Sequence, residues 1–296
     1  MSVARVHDFQ TGNDVNRFLV RARGGYLDLS GQPLIMGILN ATPDSFSDGG
    51  SCCSPCEAAK LGLRMEADGA SIIDIGGQST RPGSQPVDEE EELRRILPIF
   101  RELSGKTKAL LSVDTSKAAV AREAIKAGAA IVNDTSAMAD DPQMADVVRE
   151  TGCAVVLVHR RGTPETMQLQ PNYNSLLDEL TQELSGRVEF AMERGINMEQ
   201  ILVDPGIGFG KRLEDNLDLH RNLDRLTVLG RPVVFGPSRK SFIGTLTNRP
   251  PEDRTFGTAA SVAIAVMKGA NVLRVHDVKE MREVVRVAAA IRGARE

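Results

Sequence analysis

The chain has 296 residues, with 36 Lys and Arg against 40 Asp and Glu and a formal net charge of −4. Hydrophobic residues at 41% and charged residues at 26% suit a globular chain long enough to bury one large α/β core or two smaller ones. The mildly acidic balance offers no footprint for nucleic acid or anionic lipid, and the longest apolar stretch, residues 259–267 interrupted by Ser261, is far short of the roughly 20 residues of a membrane-crossing helix.

Residues 1–10 hold one Arg, one Asp and no apolar run, so no secretory signal is expected and the expected location is cytoplasmic. Residues 1–32, with Gly24, Gly25 and Gly31, read as an N-terminal extension that covers the bottom of the following domain, residues 33–296. In that domain eight short apolar runs alternate with amphipathic segments, at 34–39, 71–75, 109–113, 130–132, 154–158, 200–203, 232–235 and 271–275. Short runs without strict alternation are expected of parallel strands covered on both sides. Helical stripes lie between them: Val120, Ala124 and Ala127; then Leu177, Leu180, Leu184, Val188 and Ala191; then Met281, Val284, Ala288 and Ile291. Gly69, Gly128, Gly152 and Gly269 stand where glycine ends a helix. Eight strand–helix units predict a (β/α)8 barrel.

In such a barrel the chemistry collects at the C-terminal ends of the strands. The residues there are Asn40, Asp74, Asp114, Asn133 with Asp134, His159, Asp204, Ser238 to Lys240, and Arg274 with His276. Asp and Asn also cap helices, and Asp134, Asp140 and Asp277 are read that way. Asp114, Asn133 and Asp204 suit a flat heterocycle rich in N–H groups, whereas Arg239, Lys240, Arg274 and His276 suit an anion such as phosphate. Lys240 is open to a Schiff-base reading, which the adjacent Arg239 weakens. Two long loops, 40–50 and 76–84, are rich in Gly, Pro and Ser and read as lids, with Phe46 positioned to close over a ring. Gly206-x-Gly208-x-Gly210-Lys211 lacks the spacing and trailing Ser or Thr of a phosphate loop. Cys52, Cys53, Cys56 and Cys153 lack a second CxxC or His pair at zinc-finger distance and are read as reduced thiols.

Segments 40–50, 74–83, 112–117, 132–137, 204–211, 238–244 and 274–278 together resemble the dihydropteroate synthase family. The resemblance runs in order from about residue 33 to residue 292. It implies a homodimeric (β/α)8 barrel that joins 6-hydroxymethyl-7,8-dihydropterin pyrophosphate to p-aminobenzoate with Mg²⁺ as cofactor, and that sulfonamides inhibit. It implies a pterin pocket of Asp114, Asn133, Asp204 and Lys240, with Val158 beside the pterin. Asn40 is implied at the metal, Arg274 and His276 at the anion, and Phe46, Thr80, Arg81, Pro82, Phe209 and Ser241 around p-aminobenzoate. Asp114, Lys240, Arg274 and His276 are the expected catalytic set. Gln78, Val158, Arg160 and Asp215 depart from the family's usual Glu, Met, Met and His. A pterin-binding methyltransferase and a non-catalytic pterin-binding paralogue are the alternatives, but neither needs the intact lids and cation set.

Overall fold

The computed structural model describes residues 18–23, 25–41, 54–79, 83–169 and 171–293. A hairpin of β1 (Leu19–Ala22) and β2 (Gly25–Asp28) precedes the main sheet. Then come β3 (Leu34–Asn40), α1 (Pro55–Asp68), β4 (Ile72–Gly76), α2 (Glu89–Leu103), β5 (Leu110–Asp114), α3 (Ala118–Lys126), β6 (Ile131–Asp134) and α4 (Met144–Thr151). They are followed by β7 (Ala154–Val158), α5 (Leu176–Glu193), β8 (Ile201–Asp204), α6 (Leu213–Arg221), β9 (Val234–Phe235), α7 (Ser241–Thr247), α8 (Thr255–Met267), β10 (Val272–Val275) and α9 (Val278–Arg292).

β3 to β10 pair in parallel in the order β8-β7-β6-β5-β4-β3-β10-β9. A parallel bridge between Val203 and Val233, with Val203 N–H donating to the Pro232 carbonyl at 3.0 Å, joins the two outer strands. This is the (β/α)8 barrel the sequence predicts. The seventh apolar run forms only the two-residue β9, because Pro232 has no N–H to donate to a ladder.

Side chains along each strand alternate between two cores. Ile35, Leu39, Ile73, Ile75, Leu111, Val113, Val155, Leu157, Ile201 and Val203 face outward to the helices. Met36, Ile72, Ile131, Ala154, Val156, Val158, Leu202, Val234 and Val272 fill the barrel. The helices supply the other half of the outer core: Leu177, Leu180, Leu184, Val188 and Ala191 of α5 are all buried. In α9 the predicted stripe holds at Met281 and Ala288 but not at Ile291, which is 72% exposed.

Local signals set the helix ends. Ser54 and Glu57 form a capping box at α1, and Asp88 caps α2 ahead of four glutamates in its first turn, where the helix dipole favours negative charge. Gly69 and Gly152 end α1 and α4 in the left-handed conformation; Gly128 and Gly269 adopt it one residue after the cap. Below the barrel, Val20, Ala22, Leu27 and Leu29 of the hairpin share the apolar cluster of the inner strand residues.

Candidate active site

The barrel alternation places a polar layer above the apolar one. On β4, β5, β6 and β8, two residues beyond Ile72, Leu110, Ile131 and Leu202, the same face carries Asp74, Ser112, Asn133 and Asp204. Asp114 follows Ser112 at the end of β5, level with Asn133 on β6 and Gly76 on β4. All five polar side chains are buried, at 6% exposure or less.

Arg274 of β10 ties the layer together. Its Nε donates to Asp74 Oδ2 at 2.7 Å and its Nη2 to Asp114 Oδ2 at 2.6 Å. Asn133 Nδ2 donates to the same Asp74 oxygen at 3.0 Å. The second oxygens, Asp74 Oδ1 and Asp114 Oδ1, together with Asn133 Oδ1 and Ser112 Oγ, are buried without a hydrogen-bond partner. Buried acceptors left unpaired are costly, and four in one layer mark a surface built to receive donors from a ligand. Burial pushes the Asp114 carboxyl up, against the opposing charge of Arg274. Burial also raises Asp204 to about 6, although it accepts from Gly206 N–H at 2.7 Å.

The cations are distributed unevenly. Lys240 Nζ lies 3.8 Å from the centroid of the Phe209 ring, a contact between a cation and an aromatic face. Arg239 has a positive φ of 58°, an uncommon conformation for a side chain of this size. It is held there by an ion pair with Asp277 and by its own N–H donating to Thr258 Oγ1 at 3.2 Å. Arg239 therefore braces the turn before Lys240, and Asp277, expected as a simple helix cap, makes no side-chain cap bond to α9. Asp140 is likewise an ion-pair partner, of Arg160 at 2.7 Å. Asp134 does bind local backbone, accepting from Ser136 and Met138 N–H at 2.8 Å. His276 Nδ1 lies 2.9 Å from Ser238 Oγ, which also accepts from the His276 backbone N–H at 3.2 Å.

His159 stands apart from the carboxylate layer. Its Nδ1 meets Lys211 Nζ at 3.0 Å and its Nε2 meets Glu183 Oε2 at 2.9 Å. Burial lowers the imidazole to about 4, and His159, then Arg161, hold Glu183 at about 2. The neutral ring therefore donates from Nε2 and accepts at Nδ1. Lys211, fully buried, is lowered by that burial to about 7. Gly206 permits this crowding: with φ of 65°, a Cβ there would lie 1.9 Å from the His159 carbonyl oxygen.

Of the sequence-read site residues, Asp114, Asn133, Asp204 and Arg274 come together in the buried layer. Val158 belongs to the same inner cluster as Phe209. Asn40 ends β3, half-buried, beside Gly76 in register, and Ser241 begins α7, exposed. Phe46, Thr80, Arg81 and Pro82, with Cys52 and Cys53, lie outside the described residues. Asp74 and Lys211 were visible in the sequence, at a strand end and in a glycine-rich loop, but carried no assigned role. The signal for Asp74 was a carboxylate inside an otherwise apolar run, on the same face as Ile72.

Fold and site together define a parallel (β/α)8 barrel with a layer of buried, unpaired acceptors and a set of cations at the C-terminal ends of its strands. The family model described as pterin binding enzyme matches residues 36–276. A dihydropteroate synthase of Synechocystis is 46% identical over 258 residues, covering 87% of this chain and 89% of the relative. That of Escherichia coli K12 is 44% identical over 275 residues, covering 93% and 97%. Among solved structures, Yersinia pestis dihydropteroate synthase in a sulfonamide drug complex matches with a TM-score of 0.89 at 43% identity, over 94% of this chain and all of that one. The Xanthomonas albilineans enzyme in complex with 7,8-dihydropteroate matches with a TM-score of 0.84 at 40% identity, again over 94% and 100%. The chain belongs to the dihydropteroate synthase family of pterin-binding barrels.

Proposed function

We propose that this chain is a transferase of folate biosynthesis, joining 6-hydroxymethyl-7,8-dihydropterin pyrophosphate to p-aminobenzoate and yielding 7,8-dihydropteroate and pyrophosphate. The observation that carries the reading is the group of unpaired acceptors on Asp74, Asp114 and Asn133 inside the barrel. An aminopyrimidinone edge presents N–H donors in one plane, which carboxylate and carboxamide oxygens accept. In this reading Asp114, Asn133, Asp204 and Lys240 line the pterin pocket with Val158 in its apolar wall. Arg274, with His276, faces the anion side while neutralising Asp74 and Asp114. Phe209 and Ser241, with Phe46, Thr80, Arg81 and Pro82, surround p-aminobenzoate.

The chemistry follows from the charge distribution. The carbon–oxygen bond of the pterin methylene breaks, and the electron pair leaves with pyrophosphate. Positive charge on the methylene is stabilised by the buried carboxylates, fixed in place before the reaction begins. The aromatic amine attacks that carbon through its nitrogen lone pair and loses a proton, which restores a neutral secondary amine. Asp114, Lys240, Arg274 and His276 act through electrostatics and orientation, and no covalent enzyme intermediate is needed.

The residues fit a magnesium ion. Among the described residues no group of three or more His, Cys, Asp or Glu could hold a metal, but Mg²⁺ keeps several waters and leans on substrate phosphates. One oxygen, the Asn40 carboxamide at the rim end of β3, is donor enough. When bound, Mg²⁺ supplies charge neutralisation to the pyrophosphate leaving group.

A homodimer is supported by the outer faces of the last helices. Leu246 on α7, Phe256, Ile264 and Met267 on α8, and Val287 and Ile291 on α9 are exposed large apolar side chains, with Phe256 at 92%. α8 and α9 pack side by side, and apolar side chains gathered on neighbouring helices mark an association surface. No helix among the described residues is long and apolar enough to cross a membrane. Cys56 and Cys153 are free thiols, in keeping with the reducing cytoplasm we assign. We extend to this chain sulfonamide competition for the p-aminobenzoate position.

The test is pyrophosphate release by the purified chain from the pterin substrate. Release should require both p-aminobenzoate and Mg²⁺, and chelation of the metal should abolish it. Pterin binding without amine-dependent release would replace this reading with the non-catalytic paralogue.

A further inference from the structure

Three consecutive carbonyls in the loop between β8 and α6 are each taken by a different side chain. Gln168 Nε2 donates to the Gly208 carbonyl at 2.8 Å. Lys211 Nζ donates to that of Phe209 at 3.1 Å, and the Tyr173 hydroxyl to that of Gly210 at 3.1 Å. On the amide side, Gly208 N–H donates to Asn216 Oδ1 at 2.7 Å and Phe209 N–H to the Gly206 carbonyl at 3.0 Å. Gly206, Gly208 and Gly210 all have positive φ, so the segment has a large backbone entropy to lose and depends on these bonds for one conformation.

Two of the three donors, Gln168 and Tyr173, come from the β7–α5 loop, and that loop is itself anchored. Arg160 grips Asp140 through both carboxylate oxygens, at 2.8 and 2.7 Å. Arg161 pairs with Glu179 at 2.7 Å and with Glu183, and its guanidinium stacks 4.1 Å from the Tyr173 ring centroid. At the centre of the clamped segment is Phe209, 8% exposed, with the Lys240 ammonium over its ring.

We propose that Gln168, Tyr173 and Lys211 are positioning residues for the second substrate, holding Phe209 against Lys240 so that the β7–α5 loop sets the shape of the p-aminobenzoate site. The proposal rests on the assignment of Phe209 to that site. None of the three need touch the substrate, because their polar ends are engaged by backbone carbonyls. Phe209, by contrast, carries the ring assigned to that site, packed in the inner apolar cluster with the Lys240 ammonium over it, so a small loosening of the clamp is felt first by the aromatic amine.

Tyr173→Phe keeps the ring beneath Arg161 and removes only the hydroxyl, while Gln168→Met keeps length and removes only the donor. Each loss of one neutral hydrogen bond should raise the KM for p-aminobenzoate about fivefold. kcat should stay within about twofold, and the calorimetric Kd for the pterin should not change, since Asp74, Asp114 and Asn133 sit on strands. In a Phe209→Ala background Tyr173→Phe should add nothing to KM, because the clamp then holds no ring. The clamp is overturned if KM is unaltered in both single variants, if kcat and pterin affinity fall in parallel with it, or if the fivefold rise persists without Phe209. Absence of amine-dependent release from the unmodified chain would overturn the assigned reaction itself; release with unaltered KM in the variants overturns the clamp alone.

Discussion

The two ends of the barrel interior are made by the same strands with the same alternation, yet they obey opposite rules. At the floor, Met36, Ile72, Ile131, Ala154 and Val272 share one apolar cluster with Val20, Ala22, Leu27 and Leu29 of the hairpin segment. Two residues beyond Ile72, Leu110, Ile131, Leu202 and Val272 the same faces carry Asp74, Ser112, Asn133, Asp204 and Arg274; the first four are buried, and Asp74, Ser112 and Asn133 each keep an unpaired polar atom. The floor gains free energy from burial. The rim loses stability, because its acceptors are desolvated and only partly satisfied, and it keeps that cost for a ligand that completes the hydrogen bonds. Stability and binding are therefore separated along the length of each strand.

The largest break in this comparison is Arg274→Met. It leaves Asp74 and Asp114 buried without their shared cation, and removing one partner of a buried pair costs roughly 3–5 kcal/mol. The deficit should be largest at pH 8 and should shrink at pH 5, where protonation relieves the Asp114 carboxyl, already pushed up by burial. Urea unfolding at the two pH values measures it. Equal deficits would mean that Arg274 stabilises the rim through its alkyl stem.

Asp204→Asn should act in the opposite direction. The folded-state value, about 6, lies above the ordinary 3.8. A carboxyl raised in this way contributes stability that is present below its unfolded value and lost as pH rises through the folded one. Above that window the native chain carries a buried charge, and the neutral amide does not. Between pH 4 and pH 8 the variant should gain on the order of 2–3 kcal/mol relative to the parent, while its pterin affinity falls. A stability difference independent of pH would show that Asp204 is already neutral at the rim.

The barrel and most of the rim were legible in the sequence because both depend on local order. Eight apolar runs, glycine helix ends and one polar residue just past each run are periodic, short-range signals. What was not legible depended on contacts distant in sequence. Arg274 reads as an anion binder from its neighbours, and nothing local announces that it also pairs with Asp114 and Asp74, 160 and 200 positions away. Asp277 reads as a helix cap until Arg239 takes its carboxylate. Ile291 fits the helical stripe of α9, yet it sits on the outer face, since a repeat of three and four residues gives the width of an apolar face and not which neighbour covers it. Gln168, Tyr173 and Lys211 could not be read as a clamp because their targets are backbone carbonyls, which carry no residue signature.

The smallest expected effect sharpens the comparison most. Val20, 2% exposed on β1, packs into the floor cluster, and Val20→Ala removes two buried methyl groups. At about 0.8 kcal/mol for each, and with a small cavity that the hairpin can partly close by settling, the variant should lose about 1.5–2 kcal/mol by urea unfolding. The strands between floor and rim are tightly hydrogen-bonded along the whole ladder, so the loss should not travel: kcat and the KM for each substrate should stay within experimental scatter of the parent. Asp204→Asn would then gain stability and lose binding while Val20→Ala loses stability and keeps it. If either KM shifts with Val20→Ala, the strands transmit floor packing to the carboxylate layer, and the separation of the two ends fails.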